Sequence, residues 1–213
     1  GDYIFASVLW GLTGLKNLEM IHVLSDVAKR MSQGELLQLE QGRNFEMDEE
    51  VYFRLISDKT ASLIDATCHL GALTSANADP EHVENLKKFG EYLGIAFQIK
   101  DDLLDFTGNE IKMGKPTSKD LIENTITLPL IYGLKKAINN NHHKIRGILQ
   151  NGITEDDVEF VRQFAKESGG LEYATRKAEY YTNKALACLD RYDDTDFRKS
   201  LIELTYFITS REN

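Results

Sequence analysis

Apolar residues recur at offsets of three and four along most of this chain, a period that puts successive side chains on one face of an α-helix. Leu18, Ile21, Leu24, Val27, Ala28 and Met31 mark such a face in a helix predicted from Leu18 to about Gln41, and a second long helix is predicted from Asp48 to about Ala76. The stretch from Asp2 to about Leu12 is different: Tyr3, Phe5, Ala6, Val8, Leu9 and Trp10 make it apolar nearly all round, the pattern of a fully buried helix. Asp79-Pro80 predicts a helix start, since aspartate can cap free amides and proline fits the first helical position. That helix leads through Leu86, Phe89, Leu93 and Phe97. Pro129 marks a further start or a kink. Beyond a polar turn at Asn139-Asn140-Asn141-His142-His143, helices are predicted near 144–150, 154–168, 170–190 and 196–209. Thr154 and Asp157 are spaced as a capping box, and Gly169-Gly170 breaks the third of these helices from the second. With only three prolines in 213 residues, the expectation is an all-α chain in which 1–213 form a single helical domain.

Composition narrows the function classes. The net charge is −9, and no lysine or arginine cluster is dense enough to track a phosphate backbone, which argues against a nucleic-acid partner. Cys68 and Cys188 lack the paired spacing of a zinc site or a disulfide framework, so buried thiols in a reducing compartment, the cytoplasm, are expected. No apolar run approaches the roughly 18–20 residues needed to cross a bilayer, so no transmembrane segment is expected.

The candidate chemistry lies in Gly94-Ile95-Ala96-Phe97-Gln98-Ile99-Lys100-Asp101-Asp102-Leu103-Leu104-Asp105-Phe106. At helical period Ala96, Ile99, Leu103 and Phe106 share one face, while Gln98, Asp101, Asp102 and Asp105 share another. On a solvated helix such like charges repel by only about 0.2–0.5 kcal/mol, so an ordinary wet face satisfies the pattern. Facing a cavity, two charges about 4 Å apart repel by roughly 4 kcal/mol at an effective dielectric near 20, and a cation is then needed. Hard oxygen donors with open positions suit Mg2+, which takes one or two carboxylates together with substrate phosphates.

The run Gly94-x-x-Phe97-Gln98-Ile99-x-Asp101-Asp102-x-x-Asp105 resembles the second aspartate-rich motif of the trans-isoprenyl diphosphate synthases. Other stretches resemble the same family in order along the chain: Gly1-Asp2-Tyr3-Ile4-Phe5-Ala6, Gly34-Glu35-x-x-Gln38, Lys59-Thr60, and the loop Gly114-Lys115-Pro116 followed by Asp120. One departure stands at Thr125, where members often carry a lysine. The resemblance implies an isoprenoid-synthase-type helical bundle around a central cavity, incomplete at its N-terminus. It also implies a homodimer that condenses isopentenyl diphosphate with an allylic diphosphate using Mg2+. By the same resemblance Asp101, Asp102 and Asp105 are the expected metal ligands, and Lys59 and Lys115 hold diphosphate as the catalytic cations. Thr60 and Gln98 assist by hydrogen bonding, and Phe97 lines the cavity.

The family pairs two aspartate-rich motifs, and only one DDxxD occurs here, so the other is expected upstream of Gly1 and the fragment alone is expected to be inactive. A class I terpene cyclase and a noncatalytic subunit of a synthase remain open as alternatives. Product length and preferred primer are not encoded in these residues.

Overall fold

The computed structural model describes residues 1–41, 48–75, 79–107, 126–136 and 140–209. Every regular element among them is helical. In chain order these are α1 (Asp2–Gly14), α2 (Leu18–Gln41), α3 (Glu49–Ile56), a π-helical turn (Ser57–Ala61), α4 (Ser62–Leu73), α5 (Pro80–Thr107), α6 (Leu128–Lys136), α7 (Asn140–Asn151), α8 (Glu155–Glu167), α9 (Gly170–Leu189) and α10 (Asp196–Thr209).

Local chemistry starts these helices where the sequence predicts. Asp79 accepts a hydrogen bond from the Glu81 amide at 2.7 Å and so caps α5, with Pro80 at its first position. Asp157 accepts from both the backbone amide and the hydroxyl of Thr154, at 3.1 and 2.6 Å, closing the capping box of α8. These bonds hold the Asp157 carboxyl below the ordinary carboxylate range. Pro129 lies in the first turn of α6 and starts it rather than kinking it.

The long α5 lies between α4 and α9, its two most extensive neighbours. Its apolar face is the predicted one: Ala96, Ile99, Leu103 and Phe106 are buried, and the last three share a core cluster with Tyr52, Leu55 and Ile56 of α3, Leu128 and Leu130 of α6 and Val161 and Phe164 of α8. A second, smaller cluster joins Phe89 and Leu93 of α5 to Ala185 and Leu189 of α9, with Cys68 and Cys188 at its margin. Burial raises both thiols, Cys68 to about 11, so they remain protonated and unreactive at neutral pH.

Three expectations change. The helix 2–14 is not buried: Tyr3 and Trp10 are 85% and 83% exposed, and Leu12 is its only buried residue. An all-round apolar sequence favours burial, but burial needs a neighbouring surface, and among the described residues the main neighbour of α1 is α2. The polar stretch after Asn139 does not form a separate turn, because α7 already begins at Asn140 and includes His142 and His143. The long helix after Asp48 ends at Leu73 and is interrupted by the π-helical turn over Ser57–Ala61.

Candidate active site

Lys59 and Thr60 lie on that π-helical turn. In α geometry the Ser62 amide would donate to the Asp58 carbonyl, four residues back. Here it donates to the Ser57 carbonyl, five residues back, and the buried Ser62 hydroxyl takes the Asp58 carbonyl instead at 2.6 Å. The turn is therefore widened by one residue without losing a backbone acceptor. Such insertions are rare and concentrate at functional sites.

Two helices close on the turn. From α2, Gly34 sits so near that a Cβ would lie 2.8–2.9 Å from the Lys59 backbone, a distance only glycine permits. The residues after it in the same helix hold the ammonium: Lys59 Nζ is 3.2 Å from Glu35 and donates to Gln38 Oε1. From α5, Gly94 meets the Ala61 Cα in the same way, with a Cβ falling 2.5 Å from it.

This approach lets the turn bond directly to the aspartate-rich helix. Thr60 Oγ1 donates to Gln98 Oε1 at 2.8 Å, and Gln98 Nε2 donates to Asp102 Oδ1 at 2.8 Å. The other carboxylate oxygen, Oδ2, accepts from the Tyr52 hydroxyl at 2.6 Å. Tyr52 and Asp102 are 2% and 6% exposed. Burial, reinforced by the Asp102 charge, pushes the Tyr52 phenol well above its ordinary pKa, so it stays a neutral donor. Both oxygens of Asp102 are thus occupied by donors from within the protein.

The three aspartates are not equivalent. Asp101 is exposed, Asp105 is half-buried and Asp102 is buried. At about 100° per residue, Asp101 lies about 60° to one side of Gln98 and Asp102 about 40° to the other, toward Ile99 and Leu103. The Asp105 carbonyl, near the C-terminal end of α5, accepts from Arg162 of α8 at 3.3 Å, which brings a cation to the end where the helix dipole favours one.

Among the described residues no group of three or more His, Cys, Asp or Glu could hold a metal ion alone. Asp101 and Asp105, one turn apart and both reached by solvent, fit the narrower requirement of an ion that completes its shell with water and substrate phosphate. Phe97 is half-buried beside Gln98 on α5. Lys115 and the loop around it, with Asp120 and Thr125, lie outside the described residues. An open hollow of about 250 Å³ is lined by Gln33, Leu36, Leu37 and Glu40 of α2 with Arg54 and Asp58; among the described residues none of the predicted site residues lines it.

Sequence reasoning did not reach Tyr52, whose partner is fifty positions away. Glu35 and Gln38 stood in the Gly34-Glu35-x-x-Gln38 stretch, whose spacing gives no sign that both would meet Lys59.

A helical bundle that seats a Lys-Thr pair against a DDxxD helix in this way has the isoprenoid-synthase fold. The polyprenyl synthetase family pattern matches residues 1–167, and the chain belongs to that family. It is 32% identical over 212 residues to the octaprenyl diphosphate synthase of Escherichia coli, covering 100% of this chain and 65% of that protein. Among solved structures it resembles a decaprenyl diphosphate synthase from Rhodobacter capsulatus, with 31% identity, a TM-score of 0.91, and coverage of 99% of this chain and 66% of that one. A polyprenyl synthase from Caulobacter crescentus, crystallised with calcium and isoprenyl diphosphate, is similar at 29% identity and TM-score 0.91, covering 100% of this chain and 65% of its own. The chain therefore spans slightly less than two thirds of the length of the first of these relatives. No helix among the described residues is long and apolar enough to cross a membrane.

Proposed function

We propose that the complete protein containing this chain transfers an allylic prenyl group head-to-tail onto isopentenyl diphosphate, with Mg2+, to make a longer trans-polyprenyl diphosphate. The observation that carries this reading is the direct bonding of the Lys59-Thr60 turn to the DDxxD helix through Thr60, Gln98 and Asp102. The bonds join the turn that carries Lys59 to the helix that carries Asp101 and Asp105, which supports a reading in which a cation and metal-held carboxylates act on one diphosphate. Such a site must stabilise charge on a departing pyrophosphate.

In this reading the allylic C–O bond breaks with its electron pair leaving on pyrophosphate. The alkene of isopentenyl diphosphate supplies the pair for the new C–C bond, and a proton is lost from the adjacent carbon. Bound Mg2+, held by Asp101 and Asp105, would supply positive charge to the leaving group. Lys59 exchanges Glu35 and Gln38 for the more highly charged diphosphate, and Lys115 acts as a second cation. Thr60 and Gln98 fix the orientation of the turn, and Phe97 lies beside the allylic chain. Asp102, buried and accepting from Gln98 and Tyr52, orients Gln98 and is the least accessible of the three carboxylates to an ion. A homodimer in the cytoplasm accords with the resemblance.

The test is incubation of the full-length protein with Mg2+, an allylic diphosphate and labelled isopentenyl diphosphate. Labelled prenyl diphosphate longer than the primer is expected. Consumption of the allylic diphosphate without isopentenyl diphosphate would instead favour the terpene cyclase reading, and no product with either would overturn the enzyme assignment.

A further inference from the structure

Arg30 of α2 lies four residues before Gly34 and eight before Gln38, on the face that meets the π-helical turn. Its guanidinium is a hub. Nε donates to Asp58 Oδ1 at 2.9 Å, one terminal nitrogen donates to Asp65 Oδ2 at 3.3 Å, and the other donates to Ser57 Oγ at 3.0 Å and to the Ser57 carbonyl at 3.4 Å. Ser57 Oγ in turn donates to Glu91 Oε1 on α5 at 3.2 Å. One side chain therefore grips the first two residues of the widened turn, the residue one turn into α4, and, through Ser57, the helix that carries the aspartates. The Ser57 carbonyl it contacts is the acceptor that receives the five-residue-back hydrogen bond. Arg30 thus touches the atom whose pairing distinguishes this turn from ordinary α-helix.

We propose that Arg30 is a positioning residue: by clamping Ser57, Asp58 and Asp65 it fixes the π-helical turn, and so sets where Lys59 and Thr60 present their side chains. Lys59 and Thr60 are the two residues that follow Ser57-Asp58, and they turn to α2 and α5 respectively. If the turn relaxed to α geometry, every residue after it would rotate by about 100° relative to those before it. Thr60 would lose Gln98, and Lys59 would leave the face it now occupies. A lysine cannot replace the guanidinium fully, because an ammonium is a single point of donors whereas the planar fork reaches three residues at once.

The kinetic part of the test rests on the prenyl-transfer reading; hydrogen exchange tests the clamp without it. Full-length wild type, Arg30→Ala, Arg30→Lys and Ser57→Ala are compared by hydrogen–deuterium exchange and by steady-state kinetics with the two substrates varied separately. In Arg30→Ala the amides of 57–63 are expected to exchange at least tenfold faster, while those of α5 and α9 keep wild-type rates. The kcat/KM for the allylic diphosphate is expected to fall on the order of tenfold or more, the KM for isopentenyl diphosphate is expected to be unchanged, and Arg30→Lys is expected to recover part of both effects. Wild-type exchange at 57–63 overturns the proposal. So does faster exchange spread evenly over α4, α5 and α9, which would make Arg30 a general stabiliser. A wild-type protein without prenyl transfer refutes the function and leaves the clamp to be decided by exchange alone. If Arg30→Ala does not fold, Ser57→Ala, which removes one side-chain link of the clamp, must show the same local loosening in smaller measure or the proposal fails.

Discussion

Replacing Tyr52 by phenylalanine removes one oxygen from the interior and leaves the ring in place. The hydroxyl lost is the donor to Asp102 Oδ2, at 2.6 Å between two residues that solvent scarcely reaches. A hydrogen bond to a charged group contributes about 1.5–3 kcal/mol, and a buried carboxylate deprived of a donor also bears the cost of its lost solvation. Tyr52→Phe should therefore destabilise the protein by about 2 kcal/mol, and at roughly 2–4 °C per kcal/mol for a chain of this size the melting midpoint should fall by about 4–8 °C. The effect should belong to the pair, so Tyr52→Phe and Asp102→Asn should be non-additive, with a coupling of about 1 kcal/mol or more in a double-mutant cycle. Thermal and urea denaturation of the four proteins measure it. A Tyr52→Phe midpoint within about 1 °C of wild type, or a cycle that adds, would refute the view that Asp102 is held as a buried, internally solvated carboxylate.

Other expectations concern the helix seams and the carboxylates. Gly94→Ala would force a Cβ to 2.5 Å from the Ala61 Cα, and the overpacking cost of about 1–3 kcal/mol should outweigh the roughly 1 kcal/mol gained in helix propensity; a raised melting midpoint would count against it. Asp101→Ala in the full-length protein should lower prenyl-transfer turnover by orders of magnitude with the helical circular-dichroism signal intact, and unchanged turnover would remove Asp101 from the metal site. The Asp65 carboxyl is raised to about 6 by burial, with Lys87 and Arg30 pulling it down and Glu91 and Glu84 pushing it up. A raised folded-state pKa means the folded protein binds the proton more tightly. The associated stability is present below about pH 4 and lost as pH climbs through about 6, amounting to at most about 3 kcal/mol. Denaturant melts of wild type and Asp65→Asn from pH 4 to 8 should show the wild type losing stability relative to the variant with rising pH; the opposite slope would contradict the raised pKa.

The features legible in the sequence are those settled within a few residues. The Asp79-Pro80 start, the Thr154–Asp157 box and the buried stripe from Ala96 to Phe106 each depend on side chains near their own backbone, and each stands as read. What was not legible depends on a second helix. The π-helical turn needs Ser62 to re-pair Asp58 and needs Gly34 and Gly94 to admit the widened backbone, and no local pattern at Ser57–Ala61 announces it. Asp102 reads as a third acidic-face residue until Tyr52 is brought beneath it from another helix. The apolar run of α1 shows that a surface could be covered, and within this chain most of that surface stays exposed.

The same seams that build the fold also set the geometry of the candidate site. Lys59 and Thr60 reach α2 and α5 because two glycines let three backbones approach far closer than side-chain-separated helices do. At such separations a side chain as short as threonine spans the gap, and Thr60 to Gln98 is a direct bond of 2.8 Å. Widening the Gly94 seam by the radius of one methyl group would exceed the range of that bond long before it emptied the hydrophobic core. Loss of site geometry should therefore precede loss of folding when this seam is disturbed. At Gly133 an added Cβ would press instead on the side chains of Ser168 and Phe164, so the strain there falls on packing against the end of α8. Gly34 and Gly94 bear on the candidate site because the backbone they face belongs to the turn that carries Lys59 and Thr60.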